Sequence, residues 1–538
     1  MNKQRIYLFD TTLRDGQQTP GIDFSVEDKK AIAKLLDDYG MDYIEGGYPG
    51  ANPTDTAFFM EKPVRGAKFT AFGMTKRAGV SASNDPGLNA LFQTPADAVC
   101  LVAKSWDYHV RVALGCTNEE NLESIQGSVM ATVAARKESL VDCEHFFDGY
   151  KGNPAYALAC AKAAYDSGAR WVVLCDTNGG TQPQEVREVV AAVIASGIPG
   201  DHLGIHAHND TGQAVANSLA AIDAGVRQVQ GTLNGIGERC GNADLISIIP
   251  TLVLKPAFAD RFETGISAEG VKATQRLSRA FDELLNRSPN AQAPYVGSSA
   301  FATKAGIHAS ALAKEPATYE HVPPESVGNR RKVMVSDQGG KSNFLAELGR
   351  RGILVNKADP KLDTLISLVK EHESEGYAYE GADASFELLA RRTLDSVPEF
   401  FRVDSFRCMV ERRHDAKGNL KTVSEAVVKV RIDGQMTISV AEGHGPVNAL
   451  DLALRKDLGK YQSEIADLEL VDYKVRILNG GTEAITRVLI ESRDDTGARW
   501  WTVGVSDNII DASFQALMDS VNYKLMKNRG LAGLVAGE

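Results

Sequence analysis

From the N-terminus to about residue 255 the sequence repeats one pattern: a short β-rich run, a loop, then a longer stretch with apolar residues at 3.6-residue spacing. The β-rich runs are Ile6–Asp10, Asp42–Glu45, Phe69–Met74, Val99–Lys104, Leu140–Glu144, Trp171–Asp176, Leu203–Ala207 and Gln228–Thr232. Helical spacing follows at Ser25–Tyr39, Asn118–Lys137, Pro154–Asp166, Gln184–Ala195 and Gly212–Ala224. In the first of these Ser25 and Asp28 form a capping-box signature, with Ile32, Leu35, Leu36 and Tyr39 on one face. Eight strands alternating with about as many helices over roughly 250 residues match a (β/α)8 TIM barrel. An open doubly wound sheet would show the same alternation. The barrel is preferred because polar residues gather just after the strands, where βα loops build an active face.

Three of those loops carry chemistry. Asp10-Thr11-Thr12-Leu13-Arg14-Asp15-Gly16 follows the first strand and sets two carboxylates and a guanidinium at a strand end. Either carboxylate can cap a turn instead of holding a ligand. His206-Ala207-His208-Asn209-Asp210 ends the seventh strand. Residues i and i+2 share a strand face, so both imidazoles project into the barrel mouth. Two imidazoles and a carboxylate make a divalent-metal set with positions open for substrate. Gly235-Ile236-Gly237-Glu238-Arg239-Cys240-Gly241-Asn242 follows the eighth strand. Its glycines let backbone approach a ligand, and Asn242 can add an amide oxygen to a hard cation. It is not a dinucleotide fingerprint, because the G-x-G-x-x-G spacing is missing. A tight turn with a structural ion pair is the plainer reading.

Beyond the barrel, residues 256–396 are less regular and rich in proline, as expected of linker subdomains with short helices. From 397 to 538 alternating strands take over. Glu425–Ile432 and Met436–Ala441 flank Asp433–Gly434, a type I′ hairpin signal, and the helix Val447–Lys456 follows. A second copy runs through Ala484–Ser492, Trp500–Val505 and the helix Ile509–Lys524. This predicts a duplicated α+β domain.

A formal net charge of −11 argues against nucleic-acid binding. The seven cysteines are scattered without a C-x-x-C pair and read as thiols of a reducing compartment. No apolar stretch approaches membrane-spanning length and no leader pattern is visible, so a soluble cytoplasmic protein is expected.

The three loops together, as DTTLRDG (10–16), HAHND (206–210) and GERCGNADL (237–245), resemble the family of 2-isopropylmalate, homocitrate and citramalate synthases. Longer stretches, among them EGGYPGANPTD (45–55), EHFFDGYKGNP (144–154) and KAGIHASA (304–311), are similar to its citramalate branch. The resemblance implies a barrel that joins acetyl-CoA to a small 2-oxo acid, pyruvate in that branch, followed by a C-terminal regulatory domain binding an amino-acid end product, isoleucine or leucine. It places the metal ligands on Asp15, His206, His208 and Asn242, with magnesium, manganese or zinc equally suited. Arg14 and Thr177 fall on groups that hold the oxo acid. Glu144, His308 and Tyr319 fall on catalytic positions, the last two reaching the site of a neighbouring subunit in relatives, which implies a homodimer. Competing expectations are 2-isopropylmalate synthase acting on 2-oxoisovalerate, an acyl-CoA lyase or aldolase of the same barrel type, and a metabolite-sensing scaffold with an inactive barrel.

Overall fold

The computed structural model describes residues 3–333, 340–394, 397–414, 416–480 and 484–530. They form two compact units, Met1–Phe301 with Glu320–Arg331, and Ala302–Tyr319 with the chain from Lys332 onward. The sequence-expected boundary at 396/397 touches residues 395–396, which lie outside the described residues.

In the first unit eight parallel strands close into a barrel. They are β1 (Tyr7–Asp10), β2 (Tyr43–Gly47), β3 (Lys68–Met74), β4 (Ala98–Lys104), β5 (Glu138–Glu144), β6 (Trp171–Asp176), β7 (Leu203–Ala207) and β8 (Gln228–Gly231). Closure is made by β1, which pairs with β2 at Phe9–Tyr43 and with β8 at Tyr7–Gln228. The open-sheet reading is thereby excluded.

Local chemistry explains the boundaries. Helix α1 (Val26–Tyr39) starts at a complete capping box, with Ser25 Oγ accepting from Asp28 N and the Asp28 carboxylate accepting from Ser25 N. It ends at Gly40, whose φ of 103° suits a residue without Cβ. Helix α2 (Pro154–Asp166) begins with proline in its first turn and Asn153 as cap.

The barrel interior changes character along its axis. Its lower layer is apolar, with Phe9, Tyr43, Leu140 and Trp171 packed together and Trp171 Nε1 donating to Tyr43 Oη at 3.0 Å. Two residues beyond Tyr43 and Leu140 on the same strand faces come Glu45 and Asp142, and the neighbouring strands β7 and β8 add His206 and Gln230, all buried. The chain thus turns polar toward the strand C-termini, where barrel active sites form.

The second unit holds two three-stranded antiparallel sheets. The first runs β9 (Arg402–His414), β10 (Leu420–Ile432), β11 (Gln435–Gly443), and the second β12 (Glu469–Ile477), β13 (Thr486–Arg493), β14 (Arg499–Ser506). Each is followed by, or packs on, a helix, α5 (Pro446–Lys456) and α6 (Ile509–Asn528). The duplication is present with one more strand per copy than expected from the sequence, β9 and β12, both mostly exposed. Asp433 and Gly434 both have positive φ, as the type I′ turn requires. Helices α3 (Pro360–Glu375) and α4 (Asp383–Leu394) are longer than expected of a linker and share a core with the second sheet, where Leu365, Val369 and Phe386 meet Val503 and Val505.

No helix among the described residues is long and apolar enough to cross a membrane.

Candidate metal centre at the barrel mouth

Asp15, His206 and His208 are all buried, and one ligand atom from each lies within 4.8 Å of the others. His206 Nε2 stands 3.1 Å from Asp15 Oδ2 and 3.3 Å from His208 Nε2, and His208 Nε2 is 3.8 Å from Asp15 Oδ2. Donors about 2.1 Å from a cation and at right angles to one another lie about 3 Å apart, so these spacings suit one shared ion. His208 sits just past β7, where its backbone bridges to Asn242. The Asn242 Oδ1 and the His208 Nδ1 are buried without a hydrogen-bond partner. An orphaned buried amide oxygen beside a three-donor cluster is the mark of a missing partner. The residues present fit a divalent cation.

The glycine-rich loop after β8 delivers Asn242. A Cβ at Gly241 would meet the Gly235 carbonyl at 2.0 Å, and one at Gly237 would meet Asn242 Nδ2 at 2.2 Å. The same loop contains the structural ion pair of the plainer reading. Arg239 grips Asp210 through two bonds of 2.8 Å and donates to the Thr177 carbonyl, tying three rim loops together.

The electrostatics separate the two aspartates of the first loop. Burial pushes Asp10 up to about 7, opposed only by bonds from Thr12 N and Thr12 Oγ1. Burial would raise Asp15 too, but Arg14, His206 and His208 together hold it well below the usual carboxylate range. His208 is lowered to about 4 by burial and by His206, which leaves a neutral imidazole at neutral pH. Burial would lower His206 as well; the bond and charge of Asp15 overcome it and hold it above its ordinary value.

Arg14 is fixed on three sides. Its Nε donates to Glu45 Oε2 at 2.8 Å, its guanidinium lies 4.1 Å from the centre of the Phe72 ring, and Asp15 Oδ1 is 3.5 Å away. Glu45 also accepts from Thr11 Oγ1 at 2.6 Å. Beneath this loop Lys29 of α1 is fully buried and donates to the Leu13 and Gly46 carbonyls at 2.9 Å and to Asp55. Neither Glu45, Phe72 nor Lys29 stands out in the sequence as a site residue. The available signals were the position of Glu45 at a strand end and a lysine on the apolar side of an amphipathic helix.

The remaining expected residues are dispersed. Thr177 follows β6 and its Oγ1 accepts from His145 N at 2.8 Å. Glu144 ends β5 and its carboxylate pairs with Lys104. His308 and Tyr319 belong to the second unit, their rings 4.2 Å apart between centroids.

Fold and site define a class: a (β/α)8 barrel protein with a candidate divalent-metal centre at the strand C-termini. Models of three families match the chain: HMGL-like over residues 5–277, homocitrate synthase post-HMGL domain-like over 295–375, and LeuA allosteric (dimerisation) domain over 380–525. The chain is 49% identical to a (R)-citramalate synthase of Geobacter sulfurreducens, covering 98% of this chain and 99% of that protein. It is 48% identical to one from Aquifex aeolicus, with 98% of each covered. Against a probable 2-isopropylmalate synthase of Methanopyrus kandleri identity is 32%, covering 98% of this chain and 99% of the relative. The chain belongs to the (R)-citramalate synthase family, within the HMGL-like barrel proteins.

Proposed function

We infer that this protein is an acyltransferase that condenses acetyl-CoA with pyruvate and water to give (R)-citramalate and CoA, in the route to isoleucine. The carrying observation is the three-donor cluster of Asp15, His206 and His208 beside a fixed Arg14, in a chain nearly half identical over its full length to (R)-citramalate synthases.

A divalent cation, magnesium, manganese or zinc, held by Asp15, His206, His208 and Asn242 would supply Lewis acidity to the keto oxygen of the oxo acid. Arg14 presents a planar donor fork, oriented by Glu45 and Phe72, to the carboxylate or the developing oxyanion. Thr177 is proposed to contact the same carboxylate. Removal of a methyl proton from acetyl-CoA needs a base in a dry site, and Glu144, with His308 and Tyr319, is proposed to handle protons. Release of CoA then follows from attack of water on the thioester. Residues 397–538 are proposed as the domain that binds an amino-acid effector, isoleucine or leucine, in a cytoplasmic homodimer.

The test is release of free CoA thiol by the full-length chain, supplied with a divalent cation and acetyl-CoA, with pyruvate in one arm and 2-oxoisovalerate in the other. Pyruvate is expected to give the faster release by at least an order of magnitude, about the discrimination one or two methyl groups supply. Preference for 2-oxoisovalerate, or no release with either acid, overturns the proposal.

A further inference from the structure

Gln230 is fully buried in the barrel interior and touches the candidate centre from behind. Its Oε1 lies 2.9 Å from His206 Nδ1, and its Nε2 donates to Asp142 Oδ1 at 3.0 Å. Asp142 lies on β5, across the barrel interior from Gln230. This fixes the sense of the chain of bonds. A carboxylate oxygen can only accept, so Asp142 takes the amide nitrogen of Gln230 and the amide oxygen faces His206. An oxygen facing Nδ1 requires the proton there. Nδ1 of His206 then carries a proton, which leaves Nε2, the nitrogen facing Asp15 and His208, as the one able to take a cation.

The geometry points to Gln230 as a positioning residue that sets the tautomer and ring angle of His206 for cation binding, with Asp142 as the anchor that prevents the amide from flipping. This rests on the metal reading above. Outer partners of metal-bound imidazoles act in this way, and their loss weakens metal binding roughly 10- to 100-fold. The same strand supplies a matched comparison. Gln228 is also fully buried, two residues away on the same face, yet both its amide atoms lack a hydrogen-bond partner. It fills space in the barrel without holding His206.

The test uses the full-length chain, stripped of metal and titrated with Mn2+ alone, with free Mn2+ read by electron paramagnetic resonance. Gln230→Met, which keeps the length and removes both polar atoms, is expected to bind Mn2+ at least ~10-fold more weakly than wild type, whereas Gln228→Met stays within ~3-fold. Gln230→Glu keeps an acceptor toward Nδ1, and a proton shared with Asp142 replaces the amide N–H, so affinity is expected within ~3-fold of wild type. Equal affinities for Gln230→Met and wild type overturn the inference. So do equal losses in Gln228→Met and Gln230→Met, or a Gln230→Glu variant as weak as Gln230→Met. If Gln230→Met does not fold, Asp142→Asn asks the same question, because it frees the amide to flip; unchanged Mn2+ binding in that variant is the refuting result and a several-fold loss the supporting one. Wild type that binds no Mn2+ sinks the metal reading itself, which separates the two failures.

Discussion

Lys29→Met tests how the loop carrying Arg14 and Asp15 is held. The native ammonium is fully buried and spends its three donors on the Leu13 carbonyl, the Gly46 carbonyl and Asp55. Those carbonyls directly precede Arg14 and directly follow Glu45, so one side chain of α1 pins the loops after β1 and β2. Methionine keeps the stem and removes every donor. Breaking a buried pair by deleting one partner costs about 3–5 kcal/mol. The lower end is expected here for two reasons. Asp55 keeps bonds from Tyr48 N and Asn52 Nδ2, and burial already holds the Lys29 pKa below its ordinary value despite Asp55, so the native ammonium is incompletely compensated for its lost hydration. A loss of about 3 kcal/mol at about 2 °C per kcal/mol lowers the barrel's unfolding midpoint by roughly 6 °C. Thermal unfolding of the full-length chain reads this. The double variant Lys29→Met with Asp55→Asn leaves no unpaired charge while keeping an acceptor for Tyr48 N, and should regain about half the loss. Because the loops loosen, kcat/KM should also fall by up to roughly 10²-fold. A single variant within about 1 kcal/mol of wild type, or a double variant no more stable than the single, refutes the tether.

Asp15→Ala and His206→Ala should each abolish CoA release and Mn2+ binding together; near-normal turnover in either variant removes that residue from the centre. Arg14→Lys keeps the charge and loses the planar fork set by Glu45 and Phe72, so kcat/KM with pyruvate should drop by about 10²–10³-fold while Mn2+ binding holds. In the second unit Asp494 is buried, accepts from Lys527 at 2.6 Å and from Lys524 at 3.3 Å, and is held well below the usual carboxylate range by these partners and Thr496 although burial would raise it. A folded-state pKa below the unfolded one stabilises above the unfolded value of about 3.9 and loses that stabilisation as pH falls further. Asp494→Asn should therefore cost about 1.5–3 kcal/mol near neutral pH, a gap constant above about pH 5 and narrowing below about pH 4 in unfolding curves. A gap that widens in acid contradicts the assignment.

The barrel was legible because its strands are short, mostly apolar runs set at regular intervals and its helices carry explicit caps. Residue pairs i and i+2 on β7 were enough to bring His206 and His208 together. Less was readable where structure depends on partners distant in sequence. Strands β9 and β12 are mostly exposed; in β12 Val471, Tyr473, Val475 and Ile477 alternate with polar residues, but neither face is buried deeply, and only pairing with distant strands shows it to be part of a sheet. Helices α3 and α4 bury Leu365 and Phe386 against Val503 and Val505, more than a hundred residues later, and that partner is invisible to local periodicity. Glu45 and Gln230 sit on strand faces that look like ordinary barrel interior until the polar layer above Tyr43 and Leu140 is seen in three dimensions.

Asp10 and Asp15 show where such reading reaches its limit. Both lie in one loop, both are buried, and either can cap a turn. What separates them is the company each keeps. Asp10 meets only the backbone and hydroxyl of Thr12, while Thr12 Oγ1 accepts from Leu233 N at 2.9 Å. With no cation near enough to offset it, burial pushes Asp10 up to about 7, and its bonds to Thr12 make it a turn cap that links the first strand to the loop after the last. Asp15 meets a guanidinium and two imidazoles and stays ionised. A carboxylate kept charged in a buried site, next to a neutral imidazole and an orphaned amide oxygen, is a site whose donors outnumber its protons. A divalent cation satisfies that excess, and a 2-oxo acid carrying its own carboxylate then has Arg14 as its natural counterion.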